Sequence, residues 1–170
     1  PQIRKSLNAL LEGSSTVKPW MFDAKNFYLT KPCGGVRVIS CLPVISKLTT
    51  ACIAHALTND LSKNKLLDPN QFALTGTTDA FINDSKMKQP SDIITWVDFA
   101  GVFPSINTQW LLEVLEAYGV DSKLISMTSQ TLLSAYIDGE IISRGLLQGD
   151  SLSPLLFILS ICLLSTRLRT

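Results

Sequence analysis

The sequence predicts a single α+β domain, and three observations carry that prediction. Its 170 residues include 46% hydrophobic and 17% charged side chains, which suffices to bury one core of ordinary domain size. Short β-rich runs joined by glycine-containing turns alternate with longer segments of helical periodicity. No internal repeat, linker or low-complexity segment divides the chain. We therefore expect one structural unit over residues 1–170.

The N-terminal third predicts a helix followed by a hairpin. Residues 1–12 place Ile, Leu and Leu-Leu at helical spacing and end at Gly13, as an amphipathic helix does. The β-rich runs "NFYLT" and "VRVIS" are then separated by "KPCGG", whose proline and paired glycines favour a turn. This places Lys31 at the bend of a hairpin and Arg37 on its second strand.

Two helices are expected after this hairpin. Beyond Pro43 the spacing of apolar residues predicts a long helix with one buried face, and a second helix is predicted from Thr77 to Lys88. The expected buried face consists of Ile45, Leu48, Thr49, Cys52, Ile53 and Ala56.

The C-terminal half predicts a buried strand, two helices and a second hairpin. "DIITWVDFA" is an apolar run bounded by turn residues, and Asp98 lies at its end. Helices are expected from Thr108 to Tyr118, with Asn107 as N-cap and Gly119 as the stop, and from about Ser122 to Ser134. "AYIDGEII" contains Asp-Gly, a strong two-residue turn signal, and leads into "RGLLQGD".

Composition excludes several classes of protein. The net charge of +1 indicates no overall basic field, although a local basic groove is compatible with it. The four cysteines are irregularly spaced without a Cys-x-x-Cys pair, so we expect reduced, mostly buried thiols and no zinc site, even with His55 nearby. The apolar run from Leu152 to Leu164 is polar-interrupted and shorter than the ~20 residues of a bilayer span. The chain starts with Pro1 and shows no signal peptide, so we expect an excerpt of a longer chain.

Candidate residues for binding a cation or a phosphate occur in three places along the sequence. Asp98, at the end of a buried strand, suits a hard cation such as Mg²⁺, although an aspartate there also makes ordinary turn contacts. Lys31 and Arg37 suit phosphate binding, although each also fits a solvated charge in a hairpin. In "RGLLQGDSLSP", Gly149 permits close approach of a backbone or phosphate, and Gln148 offers both donor and acceptor. The alternative for this loop is the start of a helix, capped by Asp150 or Ser151.

Along the chain, the hairpin with Lys31 and Arg37 comes first, Asp98 second and the Gln148-Gly149 loop third. This is the order found in a known family. "GLLQGDSLSPLLF" closely resembles the Gln-Gly-x-x-x-Ser-Pro-x-x-Phe motif of reverse transcriptases, in the version typical of non-LTR (LINE-type) retrotransposons. "RVISCLPVISKL" resembles the family's finger strand and helix, "QFALTGTTDAF" its Gln-Phe-Gly-Phe segment, and "WVDFAGVFPSI" the first aspartate motif of its palm. The resemblance covers roughly residues 25 to 165.

The resemblance implies a role for each matching residue. Asp98 matches the first metal-binding and catalytic aspartate of the palm, and Phe103 matches the aromatic that blocks the sugar 2′-hydroxyl. Lys31 and Arg37 match finger residues that grip the incoming triphosphate. Gln148 and Gly149 match the pair that lies against the nucleotide and the template. The periodicity of the sequence fits equally well with Phe103 as a core residue after the strand, with no role beyond packing.

The chain also departs from the family pattern. It has Val38 where a proline is usual, Gly101-Val102 where a Lys-Ala pair is usual, and Pro104 where an aspartate is usual. The Tyr/Phe-Ala-Asp-Asp motif, which supplies the other carboxylates of the metal site, does not occur in the 170 residues.

The resemblance implies the fingers, over about residues 1–90, and part of the palm, over about 91–170, of a right-hand polymerase truncated before its second catalytic motif. The activity implied is RNA-directed DNA synthesis, with an RNA template, a DNA primer, deoxynucleoside triphosphates and two Mg²⁺ ions. We expect an intracellular protein in the cytoplasm, the nucleus or both, no membrane partner, and no activity from this piece alone. The alternative is a non-catalytic nucleic-acid-binding remnant or adapted module that keeps the fold.

Overall fold

A computed structural model describes residues 4–5, 8–9, 12, 18–66 and 98–167, with the backbone alone for 163–167. The described part is a mixed α+β structure in which five helices accompany one four-stranded sheet. In chain order the elements are a 3₁₀ turn Pro19–Met21, β1 Asp23–Thr30, β2 Val36–Cys41, α1 Val44–Lys63, α2 Val102–Ser105, α3 Thr108–Ala117, α4 Ser122–Leu133, β3 Tyr136–Ile137, β4 Glu140–Ile141 and α5 Ser153–Arg167.

Both predicted hairpins are confirmed. β1 and β2 pair antiparallel around the glycine-containing bend, where the Lys31 amide donates to the Gly35 carbonyl at 3.0 Å. In the second hairpin Asp138 and Gly139 both have positive φ, 51° and 87°, as a two-residue type I′ turn requires.

The two hairpins form one sheet, which the sequence did not predict. β1 runs parallel to β3, so the strand order is β2-β1-β3-β4. The Tyr136 amide donates to the Phe22 carbonyl at 3.1 Å, and the Asp138 amide to the Ala24 carbonyl at 3.0 Å. The Asp23 carboxylate also accepts from the Gly139 amide at 2.9 Å, which joins β1 to the turn of the second hairpin.

Helix α1 is confirmed, but its predicted buried face is partly wrong. Leu48 is 43% exposed and Cys52 is also exposed, whereas Ile53 and Thr49 are buried as expected. The buried stripe is rotated around the helix by about one residue position from the apolar pattern. It consists of Ser46, Thr49, Thr50, Ile53, Leu57 and Leu61. The Thr49 hydroxyl donates to the Ile45 carbonyl at 2.8 Å, so this buried polar group is satisfied within the helix, whereas the buried Ser46 hydroxyl has no hydrogen-bond partner among the described residues.

Helices α3 and α4 begin and end where the sequence predicts. The Asn107 side chain accepts from the Trp110 amide at 3.1 Å, and Gly119 takes a positive φ of 68° just after α3. The Asp121 side chain accepts from the Lys123 amide at 2.9 Å and caps α4. The short helix α2 and its left-handed N-cap, Gly101 at φ 59°, were not predicted.

One hydrophobic core joins the helices. Apolar side chains of α1, α3 and α5 meet there, with Leu146 inserted from the loop before α5 and residues of α4 packed at the edge. Its most deeply buried members include Ile53, Leu57, Leu61, Leu111, Leu115, Leu152, Leu156 and Leu159. The loop that carries the Gln-Gly pair is therefore anchored at both ends, by Leu146 before it and Leu152 after it.

The expectation of mostly buried thiols is wrong. Cys162 is buried, but Cys33, Cys41 and Cys52 are exposed, because the hairpin and the outer face of α1 leave their side chains in solvent. In the N-terminal segment, residues 4–5 and 8–9 are helical and Glu12 lies in a turn. The predicted helix from Thr77 to Lys88 and the strand before Asp98 lie outside the described residues. Among the described helices, none has the length and apolarity needed to cross a membrane.

Candidate functional site

Asp98 opens an exposed turn that leads into α2. Its side chain is exposed, as are those of the next two residues, and Gly101 then reverses the chain with its left-handed φ. The carboxylate is thus available to solvent and to a ligand. Within the described residues, no three histidine, cysteine, aspartate or glutamate side chains come together in a group that could hold a metal ion. Asp98 alone fits one oxygen ligand of Mg²⁺, which is commonly bound through one or two carboxylates and substrate phosphates.

Phe103 lies on α2, half-buried at the edge of the core. Its ring meets that of Phe157 edge to face, with centroids 5.7 Å apart and planes at 86°. This geometry is favourable for two aromatic rings because the positive edge of one faces the negative face of the other. The ring therefore has a packing role, and its remaining exposed part is what a ligand could contact.

Residues 144–149, here called the strap, run from α2 to the hairpin. At the first end the Arg144 guanidinium donates to the Ser105 carbonyl from Nε at 3.2 Å and Nη2 at 2.9 Å. The next two amides continue the contact: Gly145 donates to the Ile106 carbonyl at 2.9 Å, and Leu146 to the Phe103 carbonyl at 2.8 Å. The turn that carries Phe103 is therefore fastened by main-chain and guanidinium hydrogen bonds.

The other end of the strap is the Gln-Gly pair, which docks onto β2. The Ser40 amide donates to the Gln148 carbonyl at 2.7 Å. Gly149 follows at φ 118°, and a Cβ there would lie only 2.7 Å from the Ser40 carbonyl oxygen. Close backbone approach is thus what the glycine provides, but the approaching group is the protein's own strand. The Gln148 side chain remains exposed.

A groove lies between the strap, the hairpin and α2. It encloses about 220 Å³ and includes Gln148 and Pro104 among its lining residues, together with Asn26, Val38, Ser40, Ile137, Ile142, Arg144, Gly145, Leu146 and Leu147. The Ser40 hydroxyl donates to the Asn26 side chain at 2.8 Å, which fixes the polar floor of this groove. The groove therefore extends from Gln148 to Pro104, the residue that follows Phe103 in the sequence.

The two predicted basic residues lie elsewhere on the hairpin. Lys31 and Arg37 are both exposed, Lys31 at the bend and Arg37 opposite Leu29 on β2. Because side chains alternate along a strand, Arg37 lies on the opposite face of the hairpin from Ser40. Lys31, Arg37 and Asp98 are not among the residues that line the groove.

Asp150 connects the strap to α1 and α5. Burial raises the pKa of its carboxyl group, while hydrogen bonds from the Thr50 side chain and the Leu152 and Ser151 amides lower it to a smaller extent. The Leu152 amide donates to Oδ1 at 3.3 Å immediately before α5 begins at Ser153. The loop therefore leads into a helix, as the alternative interpretation expects, but the Asp150 hydrogen bond is a turn contact at Leu152, before the first residue of α5, and not a cap on the helix amides.

Sequence reasoning missed Ser40, Arg144 and Gly145. Arg144 and Gly145 precede the Gln-Gly pair, and their only signal was an arginine and a glycine just before a buried leucine. Gly145 has φ 93°, and a Cβ there would lie 2.8 Å from both Cα and O of Pro104. Its importance depends on a neighbour 41 positions earlier in the sequence, which no local pattern reports.

Comparison with known proteins identifies the family. A family model described as reverse transcriptase (RNA-dependent DNA polymerase) matches residues 25–170, most of the chain. A search of curated proteins gave no match. The mixed α+β fold is compatible with the fingers and part of the palm of such an enzyme. The chain belongs to the reverse transcriptase (RNA-dependent DNA polymerase) family.

Proposed function

We propose that the chain forms the fingers and part of the palm of a non-LTR retrotransposon reverse transcriptase, with the fingers over about residues 1–90 and the palm over about 91–170. The observation that carries this proposal is the strap, which bonds to β2 through Gln148 and to α2 through Leu146. It holds the Gln-Gly pair and the turn of Asp98 and Phe103 in one framework, and the family match covers all of these residues.

Each residue has a proposed role in RNA-directed DNA synthesis. Asp98 provides one carboxylate for divalent cations, whose chemistry is to stabilise charge on the attacking and leaving oxygens. Lys31 and Arg37 bind the triphosphate of the incoming deoxynucleotide. Gln148 and Gly149 form a backbone surface against the nucleotide and the template. Asp98 supplies one carboxylate, and the described residues contain no group of three possible metal ligands. The proposed activity therefore needs further acidic residues.

The test of this function is primer extension on an RNA template with Mg²⁺ and deoxynucleotides. It is run on the 170-residue chain and on a longer protein in which an aromatic-Ala-Asp-Asp motif follows it. We expect extension by the longer protein, loss of it in Asp98→Asn, and no extension by the 170-residue chain. Asp138→Asn is the matched control, since Asp138 is exposed in a turn with positive φ that asparagine also accepts.

Extension by the 170-residue chain that Asp98→Asn abolishes would contradict the requirement for further carboxylates. Extension by the longer protein that survives Asp98→Asn would contradict the role of Asp98.

A second candidate function is a nucleic-acid-binding module without catalysis, which the exposed Pro104 favours because the family usually has an aspartate there. Salt-sensitive RNA binding by a longer protein that never extends a primer would select this second function.

Phe103 is proposed as the residue that excludes ribonucleotides. A flat ring beneath the sugar leaves no room for a 2′-hydroxyl, so deoxynucleotides fit and ribonucleotides clash. In Phe103→Val of the active longer protein we expect ribonucleotide incorporation to rise relative to deoxynucleotide incorporation. The measurement is the ratio of the two kcat/KM values in a variant shown to be folded. An unchanged ratio would leave Phe103 with its packing role beside Phe157 alone.

A further inference from the structure

Helix α2 cannot be stable by itself. It has only four residues, Val102–Ser105, whereas isolated helices shorter than ~12–15 residues are marginal in water because the first turn is costly to nucleate. Its own closing hydrogen bond, from the Ile106 amide to the Phe103 carbonyl, is long at 3.4 Å. The position of Phe103 must therefore be set by contacts from outside α2.

Besides the ring of Phe157 on α5, the strap supplies those contacts through three consecutive residues. Arg144 bonds the Ser105 carbonyl with two nitrogen atoms, at 3.2 and 2.9 Å, and so satisfies a carbonyl left without a partner at the end of α2. Gly145 packs directly against Pro104, where there is no space for a side chain. Leu146 bonds the Phe103 carbonyl itself, and its side chain is 5% exposed in the core.

Of these three contacts, only the one from Arg144 is a side-chain hydrogen bond and depends on charge. A guanidinium presents two parallel N–H groups in a rigid fork, whereas a lysine ammonium supplies a point charge without that geometry. A positive charge at the C-terminal end of a helix is also favourable. Arg144 is exposed, so it contributes little to the hydrophobic core, and a change there acts mainly on α2.

We infer that Arg144 is a positioning residue: it fixes the α2 turn and thereby sets the distance of the Phe103 ring from the sugar of the incoming nucleotide. This inference rests on the proposed role of Phe103 as the residue that excludes ribonucleotides. It adds a determinant of sugar selectivity that acts through the position of α2 rather than through a contact with the sugar. The consequence is that selectivity can be lost while Phe103 itself is intact.

Two measurements test the inference. The first is amide hydrogen exchange of the 170-residue chain, in which Arg144→Ala should accelerate exchange at Gly145, Leu146 and Ile106 by about ten- to a hundredfold, as expected for one charged hydrogen bond. Amides in the middle of α3 should be unchanged, because that helix is held by the core. Unchanged exchange at all three strap and turn amides would overturn the inference.

The second measurement is the ratio of deoxynucleotide to ribonucleotide kcat/KM in the active longer protein. Arg144→Ala should lower this ratio about tenfold or more, because a misplacement of about 1 Å can change a rate by up to about a hundredfold. Arg144→Lys, which retains one donor, should give an intermediate ratio. Arg4→Ala is the matched control, since Arg4 is an exposed arginine elsewhere in the chain.

The outcomes separate this inference from the proposed function. If Arg144→Ala reduces both kcat/KM values equally, its role is structural and the inference is wrong. If Phe103→Val shifts the ratio and Arg144→Ala does not, the inference is wrong and the role of Phe103 stands. If Phe103→Val leaves the ratio unchanged, the role of Phe103 fails and the selectivity inference fails with it, whatever the exchange rates show.

Discussion

Replacing Gly149 with alanine tests the docking of the strap onto β2. The new methyl group meets the Ser40 carbonyl oxygen at 2.7 Å, a separation that real Cβ atoms essentially never show. The backbone there has φ 118°, which disfavours any L side chain. Neither problem can be relieved by rotating a side chain, because the opposing atom belongs to the main chain of β2.

The expected magnitude follows from two contributions. Backbone strain at positive φ costs about 1–3 kcal/mol. Moving the strap away from Ser40 stretches the hydrogen bond from the Ser40 amide to the Gln148 carbonyl, which is worth about 0.5–1.5 kcal/mol. Gly149→Ala should therefore lower the free energy of unfolding by about 1.5–4.5 kcal/mol.

Gly34→Ala is the matched control. Gly34 also has positive φ, 88°, but nothing lies within 4 Å of the Cβ position, so that variant carries the strain without the overlap. Urea unfolding followed by circular dichroism measures both. With an m-value of about 2 kcal/mol per molar, a loss of about 3 kcal/mol lowers the midpoint by about 1.5 M. Equal midpoint shifts in the two variants would refute the argument that the strap requires contact with Ser40.

Three further predictions follow from the same contacts. Phe103→Ala should lower the free energy of unfolding by about 2–4 kcal/mol in urea titrations, since it removes a half-buried ring and its edge-to-face pair; a loss below about 0.5 kcal/mol would contradict this. Burial raises the pKa of Asp150 above its ordinary 3.8, so the folded state favours the protonated carboxyl. The free energy of unfolding therefore falls as the pH rises from about 3.8 through the pKa of the folded state. Asp150→Asn should therefore be more stable than the parent at pH 7, with the gain absent at pH 3, and equal gains at both pH values would contradict the assignment. Lys31→Ala and Arg37→Ala should each weaken binding to single-stranded RNA and reduce the slope of log affinity against log salt by about 0.7; salt-independent binding would exclude phosphate contacts by these side chains.

Local features of the fold could be predicted from sequence because their causes are local. The "KPCGG" bend, the Asp138-Gly139 turn and the Asn107 cap each depend on a few adjacent residues, and all three are found where the sequence places them. The family motif likewise located the Gln-Gly pair before a helix. The roles carried over for Asp98, Lys31, Arg37 and Phe103 stay predictions.

The remaining features depend on distant partners. Thr50, on the buried face of α1, contacts Asp150, which lies a hundred positions away. The contact of Arg144 with Ser105 and the parallel pairing of β1 with β3 also join residues far apart in sequence. Apolar periodicity gives no signal for the part of a buried helix face that consists of serine and threonine side chains, as the N-terminal half of the α1 stripe does.

The parallel pairing of β1 with β3 has a consequence for folding during synthesis. Each hairpin closes over a few residues, but the sheet forms only when Asp23 and Ala24 meet Tyr136 and Ile137. Closing such a distant contact is slow relative to a hairpin. At ~5–20 residues per second, the ribosome needs on the order of 5–20 s to reach β3 after β1 is complete. During that interval the edge of β1 at Asp23 and Ala24, which β3 later covers, is open to pairing with other chains, so aggregation can compete with folding at this stage of synthesis.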